Sequence, residues 1–320
     1  MPSPEFHVVG DALIDVLANG IPALPAWGGD VYASGIHIKA GGSALNTAVH
    51  LASILGSSGS VSFHACVGQD TSCRTLRSCL EDAGVRPCLT VLPEQPTGSC
   101  IVLSGSADRS FITCMGAAGC LSADHLSGIT SSLQNQHTSA PCHVHFAGFY
   151  SYGPLRQELP DFVRGLRLVA ADRGLHLTIS MDVNGYEASQ VEGASSVLEL
   201  LDLWKGNVFE SEAVAGCAKE QAVRSLAGKT RCAIVTQGRD GASFCGPQGE
   251  GHVPAPAVAL KDSTGAGDAF AAALLAAWVS GQGLEAAVAQ GCAAGALNCT
   301  HIGGCDTPVT AQGIRGILST

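Results

Sequence analysis

Apolar positions along the chain follow two rhythms. Short runs that are β-branched or apolar on both faces predict strands at residues 7–10 with 13–17, 61–67, 144–147, Leu177–Met181 and Cys232–Thr236. Between them Leu45, Ala48, Val49, Ala52 and Leu55 recur at helical spacing, as do Phe270, Ala273, Leu274, Ala277 and Trp278. Leu284, Val288, Gly291 and Gly295 extend a further, small-residue helix to Asn298. Strand alternating with helix predicts an α/β fold on a largely parallel sheet covered on both faces.

Two segments break the alternation. Residues 16–39 are rich in Gly and Pro and then partly alternate from Val31 to Lys39. Residues 97–115 carry two apolar runs about a turn at 105–108, a hairpin signature. Both are strand-like with no helix between, which predicts a small β lid inserted into one larger domain spanning residues 1–320. No internal repeat is present.

Composition narrows the class. With 46% hydrophobic and 14% charged residues, the 320-residue chain is neither disordered nor collagen-like and has ample material for a core. Its net charge of 17 − 27 = −10, without a basic stripe, argues against nucleic acid as a partner. The 14 cysteines form no Cys-x-x-Cys pair and read as free thiols used as small hydrophobes in a reducing compartment. No secretory signal opens the chain, and its longest apolar run, 269–279, is about half a membrane span. A soluble, cytoplasmic protein without a membrane partner is expected. The 11 histidines form no His-x-x-x-His pair; His143 and His145 flank one strand residue and are expected to straddle its two faces rather than bind metal.

Candidate chemistry concentrates at two helix starts. Asp262-Ser263-Thr264-Gly265-Ala266-Gly267-Asp268 precedes the helix that begins Ala-Phe-Ala. Small residues there leave backbone N–H groups open, an anion site suited to phosphate. Asp268 beside it is an N-cap on the plain reading and a proton acceptor on the functional one. Ala40-Gly41-Gly42-Ser43-Ala44-Leu45-Asn46 opens the first long helix, its glycines allowing close approach and Asn46 able to donate and accept. A P-loop is excluded, because Gly228-Lys229-Thr230 lacks the upstream glycine, and no Gly-x-Gly-x-x-Gly opens the first βα unit.

Together these segments resemble the signatures of the ribokinase-like (PfkB) carbohydrate kinases. Val8-Val9-Gly10-Asp11-Ala12-Leu13-Ile14-Asp15 is similar to the family's first strand, Asn207-Val208-Phe209-Glu210 to its Asn-x-x-Glu motif, and Thr236-Gln237-Gly238-Arg239-Asp240-Gly241 to its nucleotide-binding turn. The matches run in family order from residue 8 to about residue 305. The resemblance implies a Rossmann-like sheet with a β lid over the sugar, formed here by about 16–39 and 97–115. It implies Asp268 as the base, and Gly265, Ala266 and Gly267 as the anion hole. Asp15, Gly41, Gly42 and Asn46 correspond to sugar-binding positions. Asn207 and Glu210 correspond to residues that organise Mg²⁺ and phosphate, Glu210 through water. Thr236, Gly238 and Gly241 correspond to ATP contacts, with 293–298 beside adenine. K⁺ near Asp262 and Ser263, and a homodimer through the lid, are further implications.

Departures bear on the acceptor. Gly-Gly-Ser-Ala-Leu-Asn replaces the Gly-Gly-Lys-Gly-Ala-Asn of ribokinases, and Leu13 stands where they have Asn, which argues against ribose itself. Asp182-Val183-Asn184-Gly185-Tyr186 is similar to the Asp-x-Asn-x-Arg segment of keto-sugar acid and fructose kinases, with Tyr186 in place of the arginine, against a strongly anionic sugar acid. ATP-dependent phosphorylation of a primary hydroxyl of a small sugar is the expected activity. A nucleoside kinase with the same apparatus is the alternative. A silent homologue would have lost Asp268 or the glycines, and this chain keeps both.

Overall fold

The computed structural model describes residues 3–105, 109–136, 140–183 and 194–319. In chain order the first elements are β1 (Glu5–Val9), β2 (Leu13–Ile21), β3 (Gly35–Gly41), α1 (Ser43–Leu55), β4 (Ser60–Val67), α2 (Thr71–Asp82) and β5 (Arg86–Val91). Then come β6 (Gly98–Gly105), β7 (Arg109–Cys114), α3 (Ser127–Asn135), β8 (Cys142–Phe146), α4 (Leu155–Arg173) and β9 (Leu177–Met181). The C-terminal part holds β10 (Leu203–Asn207), α5 (Val208–Ala215), α6 (Lys219–Ala227), β11 (Cys232–Thr236), β12 (Ala242–Gly246) and β13 (Gly249–Val253). Helices α7 (Ala266–Val279), α8 (Leu284–Asn298) and α9 (Ala311–Leu318) complete it.

Among the described residues nine strands form one sheet in the order β13-β12-β11-β10-β9-β8-β1-β4-β5, parallel from β11 to β5 and antiparallel at the β12–β13 end. Chain direction across the sheet reverses at β1, with β4 on one side and β8 on the other. In such sheets ligands bind outside the carboxyl ends of the strands at that reversal. Two apolar layers cover the faces. One packs α1, α2, α7 and α8 against Phe6, Val8 and Phe63; the other packs α3, α4 and α6 against Val144, Phe146 and Val235. Small residues on α8 let α7 come close: a methyl on Gly291 would stand 2.9 Å from the Phe270 ring, and one on Gly295 3.0 Å from Ala266 O.

A second sheet has the order β3-β2-β6-β7 and is built from the two segments that broke the alternation. Residues 13–17 were expected beside 7–10 in the covered sheet, but β2 belongs to this second sheet. The chain turns between them at Gly10, Asp11 and Ala12, and β2 is then only partly covered, with Leu13, Leu17 and Ile21 buried and Val16, Ala18 and Gly20 more open. β6 and β7 pair antiparallel across a turn whose residues 106–108 lie outside the described residues.

His143 and His145 do not straddle β8. Positions two apart on a strand share a face, and both rings lie within hydrogen-bonding distance of Ser180 Oγ, at 2.8 and 2.7 Å. All fourteen cysteines are free thiols, and burial pushes Cys66 and Cys142 up to about 12. Among the described residues no helix is long and apolar enough to cross a membrane.

Candidate active site

The strand ends deliver the polar residues. Asp11 follows β1, Asp182 follows β9, Asn207 ends β10 and Thr236 ends β11. They line one cavity of about 1130 Å³, whose other wall is the inner face of the second sheet, with Leu13, Asp15, Cys100, Val102, Phe111 and Thr113.

Asp268 stands in the first turn of α7, which begins at Ala266, three residues ahead of the Ala-Phe-Ala start expected from sequence. Its Oδ1 accepts from Ser43 Oγ at 2.8 Å and its Oδ2 from Asn46 Nδ2 at 2.9 Å, so the two helix starts hold one carboxylate between them. The group is half-buried and lines the cavity. Burial lifts its pKa to about 7, with Lys205 and the Asn46 amide opposing that rise. Asp15 is likewise raised to about 7, by burial and then by the neighbouring carboxylates of Asp11, Asp268 and Asp306.

Gly265 caps α7 at φ 73°, a left-handed conformation that favours glycine, and a side chain there would strike Gly304 O. The amides of Gly265 and Gly267 have no acceptor among the described residues, and both glycines line the cavity. Ala266 is outside the lining, and its N–H turns back to Ser263 O at 3.3 Å. The segment is braced from behind. Asn298 Nδ2 donates to Thr264 O at 2.7 Å, and Gly303 N donates to Asp262 Oδ2 at 2.9 Å. His50, kept neutral by burial that lowers its pKa to about 4, accepts from Val309 N at Nδ1 and donates from Nε2 to Gly304 O at 2.8 Å. Asp262, the K⁺ candidate, also accepts from Thr264 N and Oγ1 through Oδ1.

The other expected residues divide clearly. Gly42, Asn46, Asn207, Glu210, Thr236 and Gly238 line the cavity with Asp15 and Asp268. Gly41 lies under the Asp15 carboxylate, and Gly241 sits back from the cavity with its carbonyl accepting from Gln237 N at 2.7 Å. Asn207 and Glu210 form a reciprocal cap on α5: Asn207 Oδ1 accepts from Glu210 N at 2.9 Å, and Glu210 Oε2 from Asn207 N at 2.8 Å. Residues 293–298 are absent from the lining, where Asn298 acts instead as the brace described above. Asn184 and Tyr186 lie outside the described residues.

Sequence reading missed Lys205. Its buried ammonium is 3.4 Å from Asp182 Oδ2, and a methyl on Gly267 would stand 3.3 Å from Nζ, so a cation lies beside the open amides. Burial pulls its pKa down, but Asp182, Glu210 and Asp268 outweigh that and hold it above the ordinary lysine value. A lysine inside the apolar run Leu203-Trp204-Lys205-Gly206 was the available signal. Ser43 and Asp11 were also missed as site residues, and Asp182 was read only within the segment that bears on the acceptor, not as the partner of Lys205. Asp182 takes its place by accepting from Gly148 N at 2.8 Å.

Three comparisons bear on this arrangement. Adenosine kinase of Saccharomyces cerevisiae is 26% identical over 281 residues, covering 83% of this chain and 79% of that protein. Aminoimidazole riboside kinase of Salmonella typhimurium is 26% identical over 284 residues, covering 85% and 80%. The structure of Arabidopsis thaliana ribokinase complexed with ribose and ATP superposes with a TM-score of 0.80 at 21% identity over 100% of both chains, which is a likeness of fold. The pattern of the pfkB family carbohydrate kinases matches residues 5–311, nearly the whole chain, and the protein is a member of that family.

Proposed function

We propose that this protein transfers the terminal phosphoryl group of ATP to a primary hydroxyl of a small sugar, with Asp268 as the base. One observation carries the reading: a carboxylate oriented by Ser43 and Asn46 shares a cavity with the unspent amides of Gly265 and Gly267 and with the Lys205 ammonium. Such a set suits an acceptor hydroxyl on one side and phosphate on the other.

The residues divide the work. Asp268, raised to about 7, takes the acceptor's proton, and its two donors keep one oxygen edge aimed into the cavity. Asp15 and Asn46, with Gly41 and Gly42 keeping the backbone low, hold the remaining acceptor hydroxyls. Gly265 and Gly267 N–H groups, with Ala266 fixing the turn, neutralise charge on the phosphoryl oxygens. Thr236, Gly238 and Gly241 shape the nucleotide side. When bound, Mg²⁺·ATP supplies the phosphoryl group and metal charge against its oxygens. Glu210 would hold Mg²⁺ through water, since its Oε2 already accepts from Asn207 N. Among the described residues no three His, Cys, Asp or Glu side chains gather as a ligand set, which fits a metal shared with phosphate and water. K⁺ near Asp262 belongs to the same reading, as a further brace for the segment ahead of the open amides.

The second sheet, formed by β2, β3, β6 and β7, acts as the lid, excluding water during transfer. Its outer face supports a homodimer. Ile38, Val16, Ile101 and Ile112 stand in one cross-strand row, and the three isoleucines are 72%, 42% and 60% exposed.

A nucleoside acceptor is the second reading, favoured by the apolar lid wall of Leu13, Val102, Phe111 and Met115, which suits a heterocycle better than hydroxyls. ADP release measured with ribose, fructose, 2-deoxyribose, adenosine, inosine and pseudouridine, with and without K⁺, decides between them. Turnover of a free sugar is expected; turnover of nucleosides alone replaces the sugar reading, and silence with every acceptor removes both.

A further inference from the structure

Beneath the cavity lies a buried file of polar groups that the reading above leaves without a task. His143 and His145 of β8, and Thr178 and Ser180 of β9, are all buried. His143 Nδ1 is 2.8 Å from Thr178 Oγ1, and its Nε2 is 2.8 Å from Ser180 Oγ. The same Ser180 oxygen is 2.7 Å from His145 Nδ1. His145 Nε2 is buried with no hydrogen-bond partner among the described residues; it faces Asp182 Oδ2 at 3.8 Å, beyond hydrogen-bond length, and that oxygen is 3.4 Å from Lys205 Nζ. The file thus runs from Thr178 to the ammonium beside Gly267.

Its proton direction is set from the carboxylate end. Asp182 accepts from Gly148 N, and the Lys205 charge overcomes the effect of burial to hold its carboxyl well below the usual range, so it is ionised. A lone pair on His145 Nε2 would face that negative charge, so Nε2 carries the proton. His145 Nδ1 then accepts from the Ser180 hydroxyl, Ser180 Oγ accepts from His143 Nε2–H, and His143 Nδ1 accepts from the Thr178 hydroxyl. The reverse direction would make the same three bonds but set an acceptor against the carboxylate.

We propose that His145 is a positioning residue for phosphoryl transfer: its Nε2–H, oriented by Ser180, turns its positive end toward the Asp182 carboxylate 3.8 Å away and so favours the arrangement in which Asp182 holds Lys205 against the open amides at the start of α7. The role rests on the kinase reading; the tautomer does not. Two variants separate positioning from packing. In His145→Gln the side-chain amide reaches the Nε2 position and keeps a donor for Asp182. In His145→Asn the amide stops at the Nδ1 position and loses that donor. Expected is a fall in kcat of about tenfold for His145→Asn, with acceptor KM unchanged and recovery in His145→Gln. A folded His145→Asn protein with wild-type kcat, or equal losses in both variants, overturns the role. Nitrogen-15 NMR of the histidine side chains in the wild-type protein, which needs no variant to fold and no turnover, is expected to find His145 protonated at Nε2 alone. A proton on Nδ1 overturns the file's direction, whatever the fate of the kinase reading.

Discussion

Asp268 carries most of the chemistry through its surroundings. An exposed aspartate is too weak a base for an alcohol, and burial lifts this one to about 7. Two consequences follow for its titration. Activity should rise with pH, with kcat/KM climbing to a plateau above about 7 as the group ionises. For stability the sign is opposite to that of a salt-bridged carboxylate. Because the folded pKa lies above the unfolded one, ionisation penalises the fold; the penalty is absent below the ordinary Asp range near 4 and complete above about 7. Asp268→Asn should therefore lose roughly 10²- to 10⁴-fold in kcat, while melting higher than wild type by a margin that is larger at pH 8 than at pH 4.5. Residual activity within a few-fold of wild type, or a melting difference that does not vary with pH, rejects the assignment. The sequence made Asp268 legible because three small neighbours surround it at a helix start. Lys205 stayed hidden: its charge is tolerated in a buried strand only because Asp182 faces it, and a separation of 23 residues leaves no local pattern.

Elements are joined to the site by their ends. Asp70 caps α2 by accepting from Cys73 N at 2.9 Å. It also accepts from Thr97 N at 2.8 Å and Thr97 Oγ1 at 2.7 Å, just before β6 enters the second sheet. One carboxylate thus anchors a helix of the large layer to the entry of the small sheet. Asp70→Ala should cost about 1–2 kcal/mol in urea unfolding, and an unchanged midpoint would show that the cap contributes nothing. Strands at Ser60–Val67, Leu177–Met181 and Cys232–Thr236 were legible because each is a short run of apolar and small or β-branched residues without Pro, Gly, Asp, Glu, Lys or Arg, as suits a strand covered on both faces. β5 escaped notice: it is an edge strand containing Arg86 and Pro87, with no residue fully covered. β10 escaped because its run is interrupted by Lys205 and Gly206.

At the scale of the whole molecule, the second sheet has one face on the cavity and the other in solvent. The row through Ile38, Val16, Ile101 and Ile112 should bury against the same row of a second copy. Light scattering after size exclusion should give a dimer mass for the wild type and a monomer for Ile38→Glu with Ile101→Glu; a wild-type monomer at tens of micromolar (an order-of-magnitude working concentration) would dismiss that interface. The α/β layering, the two strand-like interruptions and both glycine-containing helix starts were determined by the sequence itself, since periodicity, turn residues and N-terminal small residues are local properties of the chain. Only tertiary structure decided that β2 leaves the large sheet. It alone set the Ser43 and Asn46 donors on Asp268 and the His50 and Asn298 braces behind Gly265. Those features join residues tens to hundreds of positions apart. Each takes polar groups out of water at a cost that only a partner buried with them offsets, and no single stretch of sequence brings both partners together.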